Sequence, residues 1–371
     1  MSAAEILREL VAIPSVSFMP NRPVIEAAAR LLTESGWVSR LLPYQDAKGV
    51  EKMNLIARPA GQVGSEDLDL AFVCHTDTVP FDLQAWPLAT TLTERDGMLH
   101  GCGACDVKGS LAGILAGIAA AGVISKKVAL ILTADEEVGC IGATKLLASE
   151  SLRAKSVLVC EPTSLRPAIA GKGYGLAEVR IMGHEAHSAF PQKGVSAIYA
   201  AAAMLRRIEE RAGQGEPWNA LFDPPWTTLN VGVIEGGSAK NIIPGACRFL
   251  VEWRPLPEED VSAPLEWLRE LALEIEREYP SCSVVADGLR GDAGFAYPAN
   301  SAFVRALSQQ LGTEATGISF GSEATRFARI ADEVVVMGPG NMHTAHSDRE
   351  CIPIAELEAF AECVKALLKA S

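Results

Sequence analysis

The sequence has few basic residues relative to acidic ones, no low-complexity tract and no long apolar run. Lysine and arginine number 33 against 46 aspartate and glutamate, which gives a formal net charge of −13. Such a surplus of negative charge repels nucleic acid and anionic membrane surfaces, so a small-molecule partner is favoured over either. The most apolar long stretch, residues 111–123, is too short to span a bilayer and predicts a buried helix.

The cysteines do not form the pattern of a disulfide framework. They number nine, which is odd, and they lack regular spacing, as is typical of reduced thiols in a cytoplasm. The segment CGAC at 102–105 has redox or zinc-site spacing, but no second Cys-x-x-C pair exists and a tight loop of small residues is preferred. The first residues predict an amphipathic helix rather than a signal peptide, so we expect a cytoplasmic protein.

The pattern of apolar residues predicts two domains, one inserted into the other. Residues 1–172 alternate strands with helices, which indicates a mostly parallel central sheet with helices on both faces. Residues 173–289 have the order β-α-β-β-α-β of an inserted antiparallel α+β domain. The alternating pattern returns over 290–371 and completes the first domain.

Three glycines recur every fourth residue on the helix expected after Asp106. Gly109, Gly113 and Gly117 leave one helix face without side chains. We expect that face to pack closely against a sheet.

Imidazole and carboxyl groups follow the predicted buried strands. The residues concerned are His75, Glu136, Glu137, Glu161 and His346, with Asp106 from the loop before a helix. The carboxyl ends of parallel strands meet at one edge of a sheet, so these groups would converge. Each has a simpler alternative, because Asp106 fits an N-cap, Glu136 and Glu137 fit a solvated helix start, and lone histidines more often pack than ligate. Together they would repel one another unless a cation neutralised them.

The number of groups suits two metal ions with one bridging carboxylate. Imidazole with carboxylate favours zinc, although cobalt or manganese could bind the same set. Asp77, two residues after His75, is placed to accept the second N–H of that imidazole. One of the two adjacent glutamates is then left over as a general base.

Eleven segments resemble the dinuclear zinc aminoacylase and carboxypeptidase superfamily. In chain order they are HTDTVPFD, TLTERDG, GCGACDVKGS, TADEEVG, EPTSLRP, GKG, GHEAHSAFPQKGVSA, NIIPG, RPLP, FGSEA and GPGNMHTAHSDRE. The resemblance as a whole extends from about residue 14 to 352. The resemblance implies that His75 and Glu161 bind one zinc, that Glu137 and His346 bind the other, and that Asp106 bridges. It also implies that Glu136 is the general base and that Asp77 orients a ligand.

The inserted domain resembles the part through which that superfamily forms homodimers. His187 matches a histidine that reaches the partner subunit's active site and stabilises an oxyanion. Asn241 and Arg254 match residues that hold a substrate carboxylate, and Glu323 matches a position near the substrate.

The resemblance implies metal-assisted hydrolysis of N2-acetyl-L-ornithine to acetate and L-ornithine. A related hydrolase for acetylcitrulline, succinyl-diaminopimelate or a dipeptide would use the same residues, and a non-catalytic metal-binding homologue is disfavoured because Glu136 and Asp77 are both present. Cys74, Cys105 and Cys160 each directly precede a proposed metal residue, and strand alternation predicts that their thiols point away from the metals.

Overall fold

The computed structural model describes residues 1–64, 66–215 and 217–369. The chain forms two compact units, the first made of Met1–Ile169, Tyr297–Thr316 and the residues from Ser322 onward. The second unit consists of Ala170–Ala296 and Gly317–Gly321. Within the described ranges, none of the helices combines the length and apolar character needed to cross a membrane.

The helices alternate with strands along much of the chain. The α-helices of the described residues are α1 (Ala3–Val11), α2 (Arg22–Glu34), α3 (Lys108–Ala121), α4 (Ile141–Ser149), α5 (Ala197–Ala212), α6 (Ala263–Glu278), α7 (Ala302–Leu311), α8 (Ala324–Phe327) and α9 (Ile354–Lys369).

The strands fall into a large sheet and several smaller ones. In the described residues they are β1 (Trp37–Gln45), β2 (Glu51–Pro59), β3 (Asp67–His75), β4 (Thr93–Arg95), β5 (Met98–His100), β6 (Val128–Thr133), β7 (Arg153–Val159), β8 (Ala168–Gly171), β9 (Tyr174–Met182), β10 (Ala186–His187), β11 (Thr228–Gly236), β12 (Ile242–Ile243), β13 (Ala246–Arg254), β14 (Ser283–Asp292), β15 (Phe295–Ala296), β16 (Thr316–Ile318), β17 (Ala331–Val336) and β18 (Cys351–Pro353).

The large sheet of the first unit has the order β1-β2-β6-β3-β7-β17-β8. Its centre is parallel, because β3 pairs in parallel with β6 and β7, and β7 pairs in parallel with β17. All six residues of β6 are buried, as expected of a strand covered on both faces. The predicted mostly parallel α/β sheet is therefore confirmed.

One face of β3 packs into the main hydrophobic core. Leu70, Phe72 and Cys74 lie in a buried cluster that also contains residues of α1, α2, α3 and α9. Side chains alternate along a strand, so His75 points to the opposite face from Cys74. The strand thus ends with an imidazole directed away from the core that anchors it.

The glycine face of α3 packs against a helix, so the expectation of a sheet partner was wrong. A Cβ atom added at Gly113 would lie 2.7 Å from Cδ1 of Phe360, and one at Gly117 would lie 2.7 Å from Cγ1 of Val364. Phe360 and Val364 both belong to α9. The spacing of the glycines correctly predicts a helix face without side chains. It does not identify the packing partner, because either a helix or a sheet can pack closely against such a face.

The second unit contains an antiparallel sheet with the strand order β11-β13-β9-β14. Along β13 the buried residues alternate, and Cys247, Phe249, Val251 and Trp253 share a core with residues of α5 and α6. Apart from the two-residue strands β10 and β12, the element order over 174–292 is the predicted β-α-β-β-α-β. The predicted inserted α+β architecture is confirmed.

The close contact of α3 with α9 can be tested by Gly117→Ala. The added methyl group would meet Val364 and, at 2.8 Å, the backbone oxygen of Ala361, which cannot rotate away. Overpacking typically lowers the free energy of unfolding by about 1–3 kcal/mol, whereas the better helix propensity of alanine raises it by up to about 1 kcal/mol. We expect urea unfolding to show a free energy of unfolding about 1–2 kcal/mol lower. Gly61→Ala, where a Cβ meets no atom within 4 Å, is the control, and equal stability of both variants would contradict the packing argument.

Candidate metal centre

Three of the candidate ligands lie at the ends of neighbouring parallel strands, at one edge of the sheet. His75 is the last residue of β3, while Glu137 follows the end of β6 and Glu161 follows the end of β7. Residues that are far apart in the sequence therefore meet, as parallel strand ends require.

The ligand atoms form two groups that share Asp106. His75, Asp106 and Glu161 have donor atoms within 4.8 Å of one another, and the same holds for Asp106, Glu137 and His346. Oδ1 of Asp106 lies 3.0 Å from Nε2 of His75, and Oδ2 lies 3.1 Å from Nε2 of His346. The structure thus brings together the five residues that the sequence predicts as ligands.

Each oxygen of Asp106 faces a different imidazole, and this arrangement controls the charge of the centre. Although burial favours a neutral ring, hydrogen bonding to Asp106 raises the pKa of His75 well above its usual value. Asp106 and Glu137 raise the pKa of His346 to about 10. Burial opposes ionisation of Asp106, but both imidazoles lower its pKa below the usual range. The raised pKa values favour a proton on each ring, and a metal ion would compete with those protons on binding.

The donor set fits divalent metal ions. Each group offers one imidazole nitrogen and carboxylate oxygens, and neither group includes a cysteine within the part of the chain that the structure describes. Burial, followed by the charge of Asp106, raises the pKa of Glu161 well above its usual value, so a cation beside it would favour its ionised form. Imidazole and carboxylate donors suit zinc, cobalt or manganese.

The simpler interpretations of these residues do not describe the local structure. The N-cap of α3 is Val107, without a side-chain cap, so Asp106 is not the capping residue. Helix α4 begins at Ile141, and Glu136 and Glu137 lie in the loop before it rather than in its first turn.

Asp77 holds the loop that carries the two adjacent glutamates. Nδ1 of His75 lies 3.0 Å from the backbone oxygen of Asp77 and 3.6 Å from its Oδ1, so the imidazole is closer to the carbonyl than to the expected carboxylate. The Asp77 carboxylate accepts the backbone N–H groups of Glu136 at 3.1 Å and Glu137 at 3.3 Å. It also accepts the hydroxyl of Ser17 at 2.8 Å, a contact that no sequence signal indicated.

Glu136 lies beside the two groups without belonging to either. Burial raises the pKa of its carboxyl group to about 8. The thiol of Cys140 donates to this carboxyl group, with Sγ 3.4 Å from Oε1. A partly buried carboxyl group whose pKa is raised in this way, and which lies in neither ligand group, is suited to accept and return a proton.

Asp135, the residue that precedes Glu136 in the sequence, forms a buried ion pair. Nζ of Lys52 lies 2.9 Å from Oδ1 of Asp135, and both side chains are only 1% exposed. The hydroxyl of Tyr44 donates to Oδ2 of Asp135 at 2.8 Å. Asp135 has a left-handed φ of 57°, so these contacts hold a sharp turn in place. No periodicity or motif in the sequence singles out Lys52.

Glu323 is buried in the first unit, next to the end of β6. Its Oε2 accepts the hydroxyl of Thr133 at 2.7 Å, whereas Oε1 has no hydrogen-bond partner among the described residues. Burial raises the pKa of Glu323 to about 7.

The remaining predicted residues belong to the second unit. His187 is exposed in β10, where its Nδ1 accepts the N–H of Ala189 at 3.1 Å. Asn241 is exposed just before β12. Arg254 ends β13, donates from Nε to Glu252 at 3.0 Å and stacks 4.7 Å from the ring centre of Tyr174.

Residues 71–370 match the sequence profile of Peptidase family M20/M25/M40. The chain belongs to this family. Its similarity to the acetylornithine deacetylase of Myxococcus xanthus is 44% identity over 356 residues, covering 95% of this chain and 92% of that protein. The acetylornithine deacetylase of Proteus mirabilis is 31% identical over 377 residues, covering 98% and 95% of the two chains.

Solved structures of the family share the fold. A tripeptidase from Staphylococcus aureus aligns with a TM-score of 0.81 at 22% identity, covering 99% of this chain and 97% of that one. A Bacillus subtilis protein described as a dinuclear metal binding peptidase from the M20 family aligns with a TM-score of 0.67 at 18% identity, covering 100% and 98%. The predicted membership is confirmed, and the chain is a metal-dependent hydrolase of this family.

The shared position of Asp106 predicts how metal binding responds to single changes. Asp106→Asn should weaken both ions because it removes charge from both groups, whereas Glu161→Gln should weaken only the ion beside His75. Metal content after dialysis, measured by atomic absorption, should fall below one ion per chain in the first variant and stay near one in the second. Equal losses of metal in the two variants would contradict the assignment of Asp106 to both ligand groups. Glu333→Gln is the control, because Glu333 lies outside both groups.

Proposed function

We propose that this chain hydrolyses N2-acetyl-L-ornithine to acetate and L-ornithine, a step of arginine biosynthesis. The observation that carries the proposal is the pair of ligand groups sharing Asp106, with the partly buried carboxyl group of Glu136 beside them and in neither group. Similarity to the Myxococcus xanthus deacetylase supports the choice of acyl group and amino acid.

Two metal ions, with zinc preferred over cobalt or manganese, would complete the centre. His75 and Glu161 would hold one ion, Glu137 and His346 the other, and Asp106 both. When bound, such ions polarise an amide carbonyl and make a water molecule more acidic.

Glu136 then acts as general base and general acid. Its carboxylate takes a proton from the attacking water as the C–O bond forms, and it returns that proton to the α-amine as the C–N bond breaks. Asp77 keeps this carboxylate in place by binding the backbone N–H groups of Glu136 and Glu137.

Residues of the second unit would recognise the substrate. Arg254 offers a planar pair of donors to the α-carboxylate, and Asn241 would assist it. Arg254 already bonds Glu252, so substrate binding would exchange one carboxylate for another. Glu323 would lie near the substrate from the side of the first unit.

In the sequence, the inserted domain, residues 173–289, separates the two parts of the catalytic domain, 1–172 and 290–371. Two copies of the chain would form a homodimer through this inserted domain. His187 of each subunit would then donate to the developing oxyanion in the partner's active site. The nine cysteines form no disulfide, which favours a cytoplasmic location.

An assay of released amine across an acyl-amino-acid panel tests the function. N2-acetyl-L-ornithine should give the highest kcat/KM among acetylornithine, acetylcitrulline, succinyl-diaminopimelate and a dipeptide. N-acetylputrescine lacks the α-carboxylate and should be a poor substrate. In Arg254→Lys the ratio of kcat/KM for N2-acetyl-L-ornithine to kcat/KM for N-acetylputrescine should be smaller than in the wild type, because a point charge replaces a two-pronged donor.

Glu136→Gln is the control for the chemical step in that panel. It should retain both metal ions while kcat falls by at least about 100-fold, the usual contribution of general acid–base catalysis. Preference for another panel member would reassign the substrate, and loss of metal from Glu136→Gln would make Glu136 a ligand.

Mixing two inactive variants tests the role of His187 across the dimer. If His187→Ala and Glu136→Gln subunits exchange, one site of the heterodimer carries both changes and the other carries neither. Activity should therefore return to as much as about one wild-type site per heterodimer, half the activity of a wild-type dimer, because stabilisation of the oxyanion is restored there. Persistent inactivity, with exchange verified by native mass spectrometry, would place His187 in the site of its own chain or outside catalysis.

A further inference from the structure

Glu350 makes an unusual set of contacts in the loop that carries Asp106. Its side chain is 2% exposed and receives three backbone N–H groups. Gly103 donates to Oε2 at 3.0 Å, and both Cys105 and Asp106 donate to Oε1 at 2.9 Å. In the described residues no other carboxylate takes three main-chain donors.

The loop from Gly101 to Asp106 is shaped to surround this carboxylate. Gly103 has a left-handed φ of 76°, which turns successive N–H groups toward one point. The N–H of Gly101 also donates to the backbone oxygen of Glu350 at 3.3 Å, so main chain and side chain both attach to the loop. Hydrogen bonds to an ionised carboxylate are shorter and stronger than neutral ones.

The other end of this connection is the turn that carries His346. The N–H of Glu350 donates to the backbone oxygen of Ser347 at 3.1 Å, directly after the imidazole residue. His346 itself has a left-handed φ of 57°, a conformation that a non-glycine residue holds only where its surroundings fix it. Glu350 therefore joins the loop of the shared carboxylate to the turn of a terminal ligand.

We propose that Glu350 is a positioning residue that fixes Asp106 and His346 relative to each other, and thereby sets the affinity of the metal centre. The proposal rests on the metal assignment made above. Glu350 lies in neither of the two ligand groups. Its carboxylate acts on the ligands through the backbone, because it binds the N–H of the residue whose side chain is shared by both groups.

Replacing Glu350 with glutamine tests this role with little change in volume. The new amide oxygen can still accept from Cys105 and Asp106, but its NH2 group would meet the N–H of Gly103. Residues that support metal ligands typically change metal affinity by about 10- to 100-fold when mutated. We expect that loss in Glu350→Gln when metal-free protein is titrated with Co²⁺, together with an altered visible absorption spectrum of the bound cobalt.

Kinetics at saturating metal provide a second measurement. Because the substrate carboxylate is bound elsewhere, kcat should fall while KM stays within about twofold. Glu276→Gln is the matched control, since Glu276 also accepts a buried backbone N–H, from Val284 at 2.8 Å, but in the second unit and away from the ligands. It should lose some thermal stability and keep the cobalt affinity and spectrum of the wild type.

Wild-type cobalt affinity in Glu350→Gln, or a change no larger than in Glu276→Gln, would overturn the proposal. If Glu350→Gln does not fold, Glu350→Asp takes its place, because it keeps the charge and shortens the reach. Failure of both to fold, while Glu276→Gln folds, would assign Glu350 to the fold alone and also overturn the proposal. Absence of cobalt binding by the wild-type chain would instead reject the metal assignment itself.

Discussion

The shared carboxylate of Asp106 is the interaction on which the rest of the centre depends. One oxygen lies 3.0 Å from His75 and the other 3.1 Å from His346, so both rings are set by one side chain. A buried carboxylate is costly to ionise, yet the two imidazoles lower the pKa of Asp106 below its usual range. The centre is thus prepared for positive charge before any cation binds.

The rest of the first unit keeps these groups from moving apart. The parallel strands β3, β6 and β7 place three ligand-bearing segments side by side, and the fully buried residues of β6 leave that strand little freedom. Asp106 and His346 come from loops instead, and loops lack this support. Their rigidity has to come from hydrogen bonds, and the three backbone N–H groups that donate to Glu350 supply such bonds.

The sequence identifies candidate site residues where they follow a recognisable strand. It does not identify residues whose role depends only on tertiary contacts. His75 and Glu161 follow runs of apolar residues, so their convergence could be inferred from strand order. The glycine face of α3 was visible, but its partner α9 lies more than 200 residues further on and nothing local identifies it. Lys52 and Glu350 look like ordinary surface charges, and only the fold shows that both are buried.

The contrast between Glu136 and Glu137 shows why local sequence alone cannot assign roles to adjacent residues. Both are glutamates after the same strand, and both donate their N–H groups to the carboxylate of Asp77. That common anchor fixes the backbone so that the two side chains leave it in different directions. Glu137 meets His346 at 3.0 Å and joins a ligand group, whereas Glu136 stays outside both groups, where burial raises its pKa to about 8. The different surroundings of these two adjacent glutamates therefore come from the turn that Asp77, Asp135 and Lys52 hold in place.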